Sequence, residues 1–296
     1  MITAPGIYAD VPMQAYHELV DGKYVPLCDG PSISSSGLRK IFTQSPAHFW
    51  AKAPMNSDRI EEADKKAFVL GRAAHLLLVG QPHFAREFII RPDTYEDEKT
   101  GSEKPWNGNA NKCKGWLAAA KQSSKTVLTT DMVEDIKGMA ISLGKHPLVR
   151  AGILNGLIER SIIFRDKGTG IWVRTRPDSI PTDSGDYADI KTSFEIGEGT
   201  EKAMRNFRYD MQAALLRWAC REVGLPFSSF ADVFVESTPP YCVDIVTIDT
   251  RDLDEAEADC RIALKVFAHC LKSGEWWGPV GTQRDARTAF FSEQFR

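Results

Sequence analysis

The stretch Arg176-Pro177-Asp178-Ser179-Ile180-Pro181-Thr182-Asp183-Ser184-Gly185-Asp186-Tyr187-Ala188-Asp189-Ile190-Lys191 decides the reading of this chain. Thr182 to Asp186 is turn-rich, so the whole reads as strand, turn, strand. Side chains alternate faces along a strand. Asp189 and Lys191 therefore share one face, and Ile190 points the other way, into a core. Pro177 holds Arg176 extended and removes a backbone donor, which suits a strand end or edge. A hairpin through Gly185 brings Asp178 back beside Asp189. Two carboxylates and an ammonium then meet at one end of a sheet. Such carboxylates repel each other, and a hard divalent cation is their natural third partner.

Upstream, residues 157–165 read as a strand, 166–170 as a turn and 171–176 as the paired strand. Glu159 in the first strand either salt-bridges an arginine or faces the acidic cluster. Downstream, residues 200–222 read as one long helix. Met204, Phe207, Met211, Ala214, Leu215 and Trp218 follow the i, i+3, i+4, i+7 pattern of a buried stripe. Arg205, Arg208, Tyr209 and Gln212 lie on the neighbouring stripe, with Tyr209 and Gln212 three apart and pointing the same way. That stripe is either solvated or a cover for the Asp189/Lys191 site. Strands follow at 230–237 and 241–249, then an amphipathic helix at 252–273. Trp276 and Trp277 read as packing anchors.

Residues 1–32 read as an irregular leader. Ser34-Ser35-Ser36 caps a short helix, and Ser45-Pro46 starts another. Residues 58–79 read as a long helix that begins charged and ends apolar. It carries Gly71-Arg72-Ala73-Ala74-His75, where small residues permit a close approach. His75 is either a satisfied core histidine or part of a site. Residues 92–109 read as a mobile loop with Lys99 and Lys104 available for phosphates, and helices follow at 110–122 and 131–144. The pattern gives an α/β protein, with a mixed central sheet of about five strands flanked by helices. The N-terminal region, residues 1–57, reads as a leader and short helices packed on a core domain of residues 58–296.

The chain has 296 residues, 43% hydrophobic, enough for one large core. Its net charge of −3 excludes a polycationic DNA coat and leaves any nucleic-acid contact to a local basic surface. Among six cysteines no pair has C-x-x-C spacing, so a zinc or iron–sulfur site is not expected. They fit reduced thiols in a cytoplasmic protein. No signal peptide is read at the N-terminus, and no apolar run nears the roughly 20 residues of a membrane span.

The order of these pieces resembles the PD-(D/E)xK nuclease superfamily, and within it the RecE-type exonucleases of the exodeoxyribonuclease VIII family. The resemblance spans nearly the whole chain. It rests on Ile33-Ser34-Ser35-Ser36-Gly37-Leu38, Gly71-Arg72-Ala73-Ala74-His75, Arg176-Pro177-Asp178, Asp189-Ile190-Lys191-Thr192 and Tyr209-Asp210-Met211-Gln212. It implies a restriction-endonuclease-like core. It implies that His75, Asp178 and Asp189 are metal ligands, with the Ile190 carbonyl as a further oxygen. Lys191 then orients or activates the attacking water, Gln212 and Tyr209 position Lys191, water or phosphate, and Glu159 is an accessory acid. The resemblance also implies 5′-to-3′ degradation of one strand at double-stranded DNA ends, leaving 3′ overhangs. A homo-oligomeric ring and a single-strand annealing protein in phage-type recombination are implied partners. Leu216 stands where related nucleases often carry a tyrosine.

The chemistry agrees with a metal. Phosphodiester hydrolysis must activate water, neutralise a pentacovalent phosphate and stabilise a leaving oxygen, and Mg²⁺ can do all three. Oxygen ligands favour Mg²⁺ or Mn²⁺ over zinc, and one histidine favours Mn²⁺ somewhat. No phosphate-cradling G-x-x-x-x-G-K-[ST] loop occurs, so no nucleotide cofactor is expected. Arg72, Lys99, Lys104, Arg205 and Arg208 are the candidate DNA contacts. An endonuclease or nickase on the same fold, and a non-catalytic DNA-binding protein, are the competing readings.

Overall fold

A computed structural model of the chain describes residues 1–61, 66–78, 84–158 and 160–279. The leader is more regular than its composition predicts. It holds β1 (Gly6–Tyr8), α1 (Met13–Tyr16), the hairpin β2 (Leu19–Val20) and β3 (Lys23–Tyr24), and β4 (Ser32–Ser34). These segments are short and find their partners far along the chain, which local pattern does not reveal. Helix α2 (Ser35–Thr43) starts where the Ser34 hydroxyl accepts from the Gly37 N–H. Helix α3 (Pro46–Trp50) starts with Ser45 as cap and proline in its first turn.

Helix α4 spans Lys66–Leu78. The expected start at residue 58 is not observed, since 58–61 are not helical. Next come α5 (Phe84–Glu87), β5 (Phe88–Ile90), the hairpin β6 (Thr94–Glu96) and β7 (Glu103–Pro105), α6 (Asn111–Gln122) and β8 (Thr126–Leu128). The stretch read as a mobile loop is thus largely a hairpin, tied by Lys104 to Asp97 at 2.8 Å. Helix α7 (Thr130–Lys145) is capped by Thr129, and α8 (Pro147–Arg150) follows.

The remaining strands are β9 (Leu157–Ile158), β10 (Ser161–Arg165), β11 (Trp172–Thr175), β12 (Ser179–Ile180) and β13 (Asp186–Ser193). Then come α9 (Glu198–Phe207), α10 (Tyr209–Val223), β14 (Ser229–Glu236), β15 (Val243–Thr247) and α11 (Thr250–Ser273). The single helix expected over 200–222 is two. Arg208 breaks it in a left-handed conformation, φ 48° and ψ 56°, and pairs at 2.8 Å with both Asp210 and Asp259. With no glycine or proline there, the joint is invisible to sequence periodicity. Phe207, expected in the buried stripe, is 53% exposed as a result.

The one sheet of about five strands is also corrected. A four-stranded sheet has the order β1-β10-β11-β4, and a three-stranded sheet has the order β13-β14-β15. The β11 ladder stops at Thr175, because Arg176 turns away and Pro177 has no N–H to give. Strand β12 pairs with β9, and β13 runs parallel to β14, so β12 and β13 are not the ladder partners that a hairpin predicts.

Two cores flank β13. Tyr187 joins the larger one, built on α2, α10 and α11 with Leu38, Trp218 and Phe267. Ala188 and Ile190 join the other, built on α4 and α7 with Ala73, Ala74 and Met139. Each fully buried large side chain contributes about 1.5–3 kcal/mol. Trp276 stacks on Trp50 at 4.5 Å, and the Trp277 carbonyl accepts from the Ala47 N–H, so the tryptophans anchor the segment that follows α11 to α3.

Candidate active site

The C-terminal half of β13 lies between α4 on one face and α10 on the other. Alternation sets what each face presents: Ile190 and Thr192 meet α4, while Asp189 and Lys191 meet α10. Gly71 allows α4 to come close. A Cβ built there would stand 3.2 Å from the Thr192 Oγ1. One turn on, His75 reaches over the edge of β13.

Asp178 meets it there. One Asp178 oxygen hydrogen-bonds the His75 Nε2; the other accepts from the Ile190 N–H at 2.7 Å. A side chain thus replaces the hairpin ladder in bringing Asp178 to Asp189's strand. On the other face Lys191 donates to Asp189 Oδ2 and, at 3.0 Å, to the Gln212 Oε1. The Gln212 amide donates back to Asp189 Oδ1 at 2.7 Å, closing a three-membered ring of hydrogen bonds. The Tyr209 ring covers the ammonium, with its centroid 4.3 Å from Nζ. Leu216 is buried in the core, so the aromatic at this site comes from the first residue of α10.

The electrostatics follow from burial and pairing. Burial alone lowers the His75 pKa, but the charge and hydrogen bond of Asp178 outweigh it and hold it at about 9. Burial raises Asp178, yet His75, the Ile190 N–H and Lys191 bring it below the usual carboxylate range. Asp189 is raised, by burial first and by the negative charge of Asp178 second. Burial opposes the Lys191 charge, but Asp189 and Asp232 raise its pKa.

Two residues here were not singled out from sequence. Asp232 on β14 is the register partner of Asp189 and fully buried, with Lys191 Nζ 3.8 Å from its Oδ1. Neither carboxylate oxygen has a hydrogen-bond partner among the described residues. Burial pushes its pKa up to about 7. An aspartate inside the apolar run Phe230-Ala231-Asp232-Val233-Phe234-Val235 was the available signal. Arg39 on α2 donates to the Phe207 carbonyl at 2.7 Å and lies 5.7 Å from the Tyr209 ring centre. Nothing in its local sequence marks it.

Among the described residues no three His, Cys, Asp or Glu side chains stand as a ready-made metal cage. Cationic hydrogen-bond donors face the carboxylates instead: His75 on Asp178 and Lys191 on Asp189. The donor set itself, two carboxylates and an imidazole beside the Ile190 backbone, fits a hard divalent cation that takes the place of the His75 proton and displaces the Lys191 ammonium.

The other predicted residues are placed as follows. Glu159 lies outside the described residues. Arg72 is exposed on α4 and donates to the Thr126 hydroxyl at 3.3 Å. Lys99 and Lys104 belong to the β6–β7 hairpin, where the Lys99 N–H and the Lys104 ammonium both serve Asp97. Arg205 is exposed on α9. Arg208 is neutralised by Asp210 and Asp259, which corrects its reading as an available phosphate contact. Arg176 binds Ser161 and the Val11 carbonyl and lies over Tyr16, so it ties the leader to β10.

The fold and this cluster point to a PD-(D/E)xK-type protein. The chain belongs to the family described as PDDEXK-like domain of unknown function (DUF3799), whose model matches residues 34–283. Among solved structures it is similar to a "Putative exonuclease" from Eubacterium rectale, at 12% identity, with 82% of each chain covered and a TM-score of 0.56. At that identity the likeness is one of fold. No curated protein matches the sequence.

Proposed function

We propose that this chain is a metal-dependent deoxyribonuclease, an exonuclease that degrades one strand of duplex DNA from its 5′ end and leaves a 3′ overhang. The observation that carries the reading is the closed ring of Lys191, Gln212 and Asp189 beside the Asp178–His75 pair. A plain structural ion pair has no need of a glutamine that fixes both partners. The family and the fold neighbour's name support the same chemistry.

His75, Asp178, Asp189 and the Ile190 carbonyl are the groups that would hold Mg²⁺ or Mn²⁺. Such an ion supplies charge neutralisation at the phosphate and a more acidic water. Gln212 holds Asp189 in one orientation. Lys191, a compact ammonium fixed by Gln212 and Tyr209, donates to the attacking water and the phosphate. Arg205 is an exposed cation that could meet the backbone. The biological setting we propose is phage-type recombination, with a homo-oligomeric ring on the DNA and a single-strand annealing partner.

The test uses 5′-labelled linear duplex beside closed circular duplex, each with Mg²⁺, and Asp189→Asn as control. Loss of the linear DNA alone, with early release of 5′ label, supports the exonuclease. Cleavage of the circle replaces it with an endonuclease. No cleavage with Mg²⁺ or Mn²⁺ replaces it with a binding role.

A further inference from the structure

Asp232 has no part in the chemistry above, and its state demands a reason. A carboxylate removed from water without hydrogen bonds costs several kcal/mol in general. Native structures rarely leave such a group unexplained. Here both oxygens are buried without hydrogen bonds, and Lys191 Nζ stands 3.8 Å from one of them. That gap is about 1 Å longer than a charge-assisted hydrogen bond. The lysine stem is flexible enough to cross it with small torsion changes. Lys191 instead donates to Asp189 Oδ2 and to Gln212 Oε1.

We infer that Asp232 is a second seat for the Lys191 ammonium, a positioning residue that receives it when the Asp189 carboxylate is engaged by a divalent cation. The inference rests on the metal-dependent reading. Once Asp189 spends its oxygens on a cation, the ammonium loses that partner and is repelled by the like charge. Gln212 still accepts from it, and the Tyr209 ring still covers it. Asp232 then supplies the missing acceptor. The lysine stays charged, is turned by a fixed amount, and keeps a proton facing the reaction centre. The same move pairs the orphaned carboxylate. Register makes this possible: Asp232 lies directly across from Asp189 on the neighbouring strand, so the two acids flank one lysine.

The experiment follows the Lys191 ammonium in the whole protein by lysine Nζ NMR, the signal being assigned by its loss in Lys191→Arg. In the wild type, Mg²⁺ shifts this signal and leaves it in slow exchange with water. In Asp232→Asn, whose melting transition checks the fold, Mg²⁺ instead makes the signal vanish into exchange. In Asp189→Asn, with Asp232 intact, the signal takes the Mg²⁺-loaded wild-type position with no Mg²⁺ added. Turnover of Asp232→Asn at saturating Mg²⁺ falls by about 10-fold, part of what a positioned proton-handling group contributes, with Mg²⁺ affinity unchanged. A wild-type Mg²⁺ response in Asp232→Asn overturns the proposal. So does an Asp189→Asn signal that keeps the metal-free position. Mn²⁺ binding to the wild type, read by paramagnetic relaxation, separates the two levels. Binding with an unmoved Lys191 signal removes the Asp232 role and leaves the nuclease reading intact. Absence of binding removes both.

Discussion

Asp178 does two jobs with one carboxylate. It completes the edge of β13 at Ile190 and holds His75 of α4. Asp189 has no such backbone duty, because its partners are Lys191 and Gln212. Asp189→Asn is therefore expected to keep the fold and lose Mg²⁺-dependent cleavage, which a thermal melt and a nuclease assay check together. His75 is the cationic partner of the buried Asp178, so His75→Ala should lower the melting temperature at neutral pH and weaken Mn²⁺ binding. The loss of affinity should be about 10-fold or more, since even outer-sphere partners are worth that much; titration of Mn²⁺ measures it. At this scale strand alternation and the turn suggested that Asp178, Asp189 and Lys191 meet, while His75 and Gln212 were assigned to the site only through the family resemblance. Asp232 and Arg39 were not, because their roles exist only after distant segments come together.

Helices place these side chains, and their packing can be tested apart from the chemistry. Gly138 on α7 lies under the Tyr241 ring, where an added Cβ would meet ring carbons at 2.2 Å. Tyr241 is pinned by its hydrogen bond to Asp135 at 2.9 Å, so the ring cannot simply retreat. Gly138→Ala should destabilise by about 1–3 kcal/mol, despite the better helix propensity of alanine, and a denaturant melt reads it. Helices α10 and α11 are laced by Glu257, which accepts from Arg217, Arg221 and Arg261. Burial raises its pKa, but those arginines outweigh burial and hold it below the ordinary glutamate range. A depressed acid stabilises the fold above its unfolded pKa, near 4.5, and loses that contribution as pH falls through its lower folded value. Glu257→Gln should then melt below the wild type at pH 7, and the difference should close as the pH falls into that acid range. The longer helices were predictable from caps and periodicity. The break at Arg208 was not, since a left-handed arginine costs energy that contacts made after folding, its ion pairs with Asp210 and Asp259 among them, offset.

For the molecule as a whole, the class of fold could be read and the sheet arrangement could not. Strand alternation shows which residues face inward but does not name the neighbour. The leader shows this most clearly: β1 and β4 are two of the four strands in their sheet, yet their sequences carry no strong strand signal. Glu18 is fully buried against Arg174 at 3.1 Å. A chain lacking residues 1–31 should strand that arginine in the core and fail to fold, which circular dichroism of the truncated protein checks.

The pairing of β1 with β10 sets Tyr8 opposite Ser161, 153 positions later (161 − 8). At a synthesis rate of about 5–20 residues per second, the first strand waits roughly 8–30 s for its partner. His75 emerges early, Asp178 and Asp189 much later, and Gln212 and Asp232 later still. Maturation is thus ordered in time: His75 waits for Asp178, and Asp189 waits for the Gln212 that holds it. The cluster is complete only after the last third of the chain has begun to emerge, when folding can close around a centre whose parts were made apart.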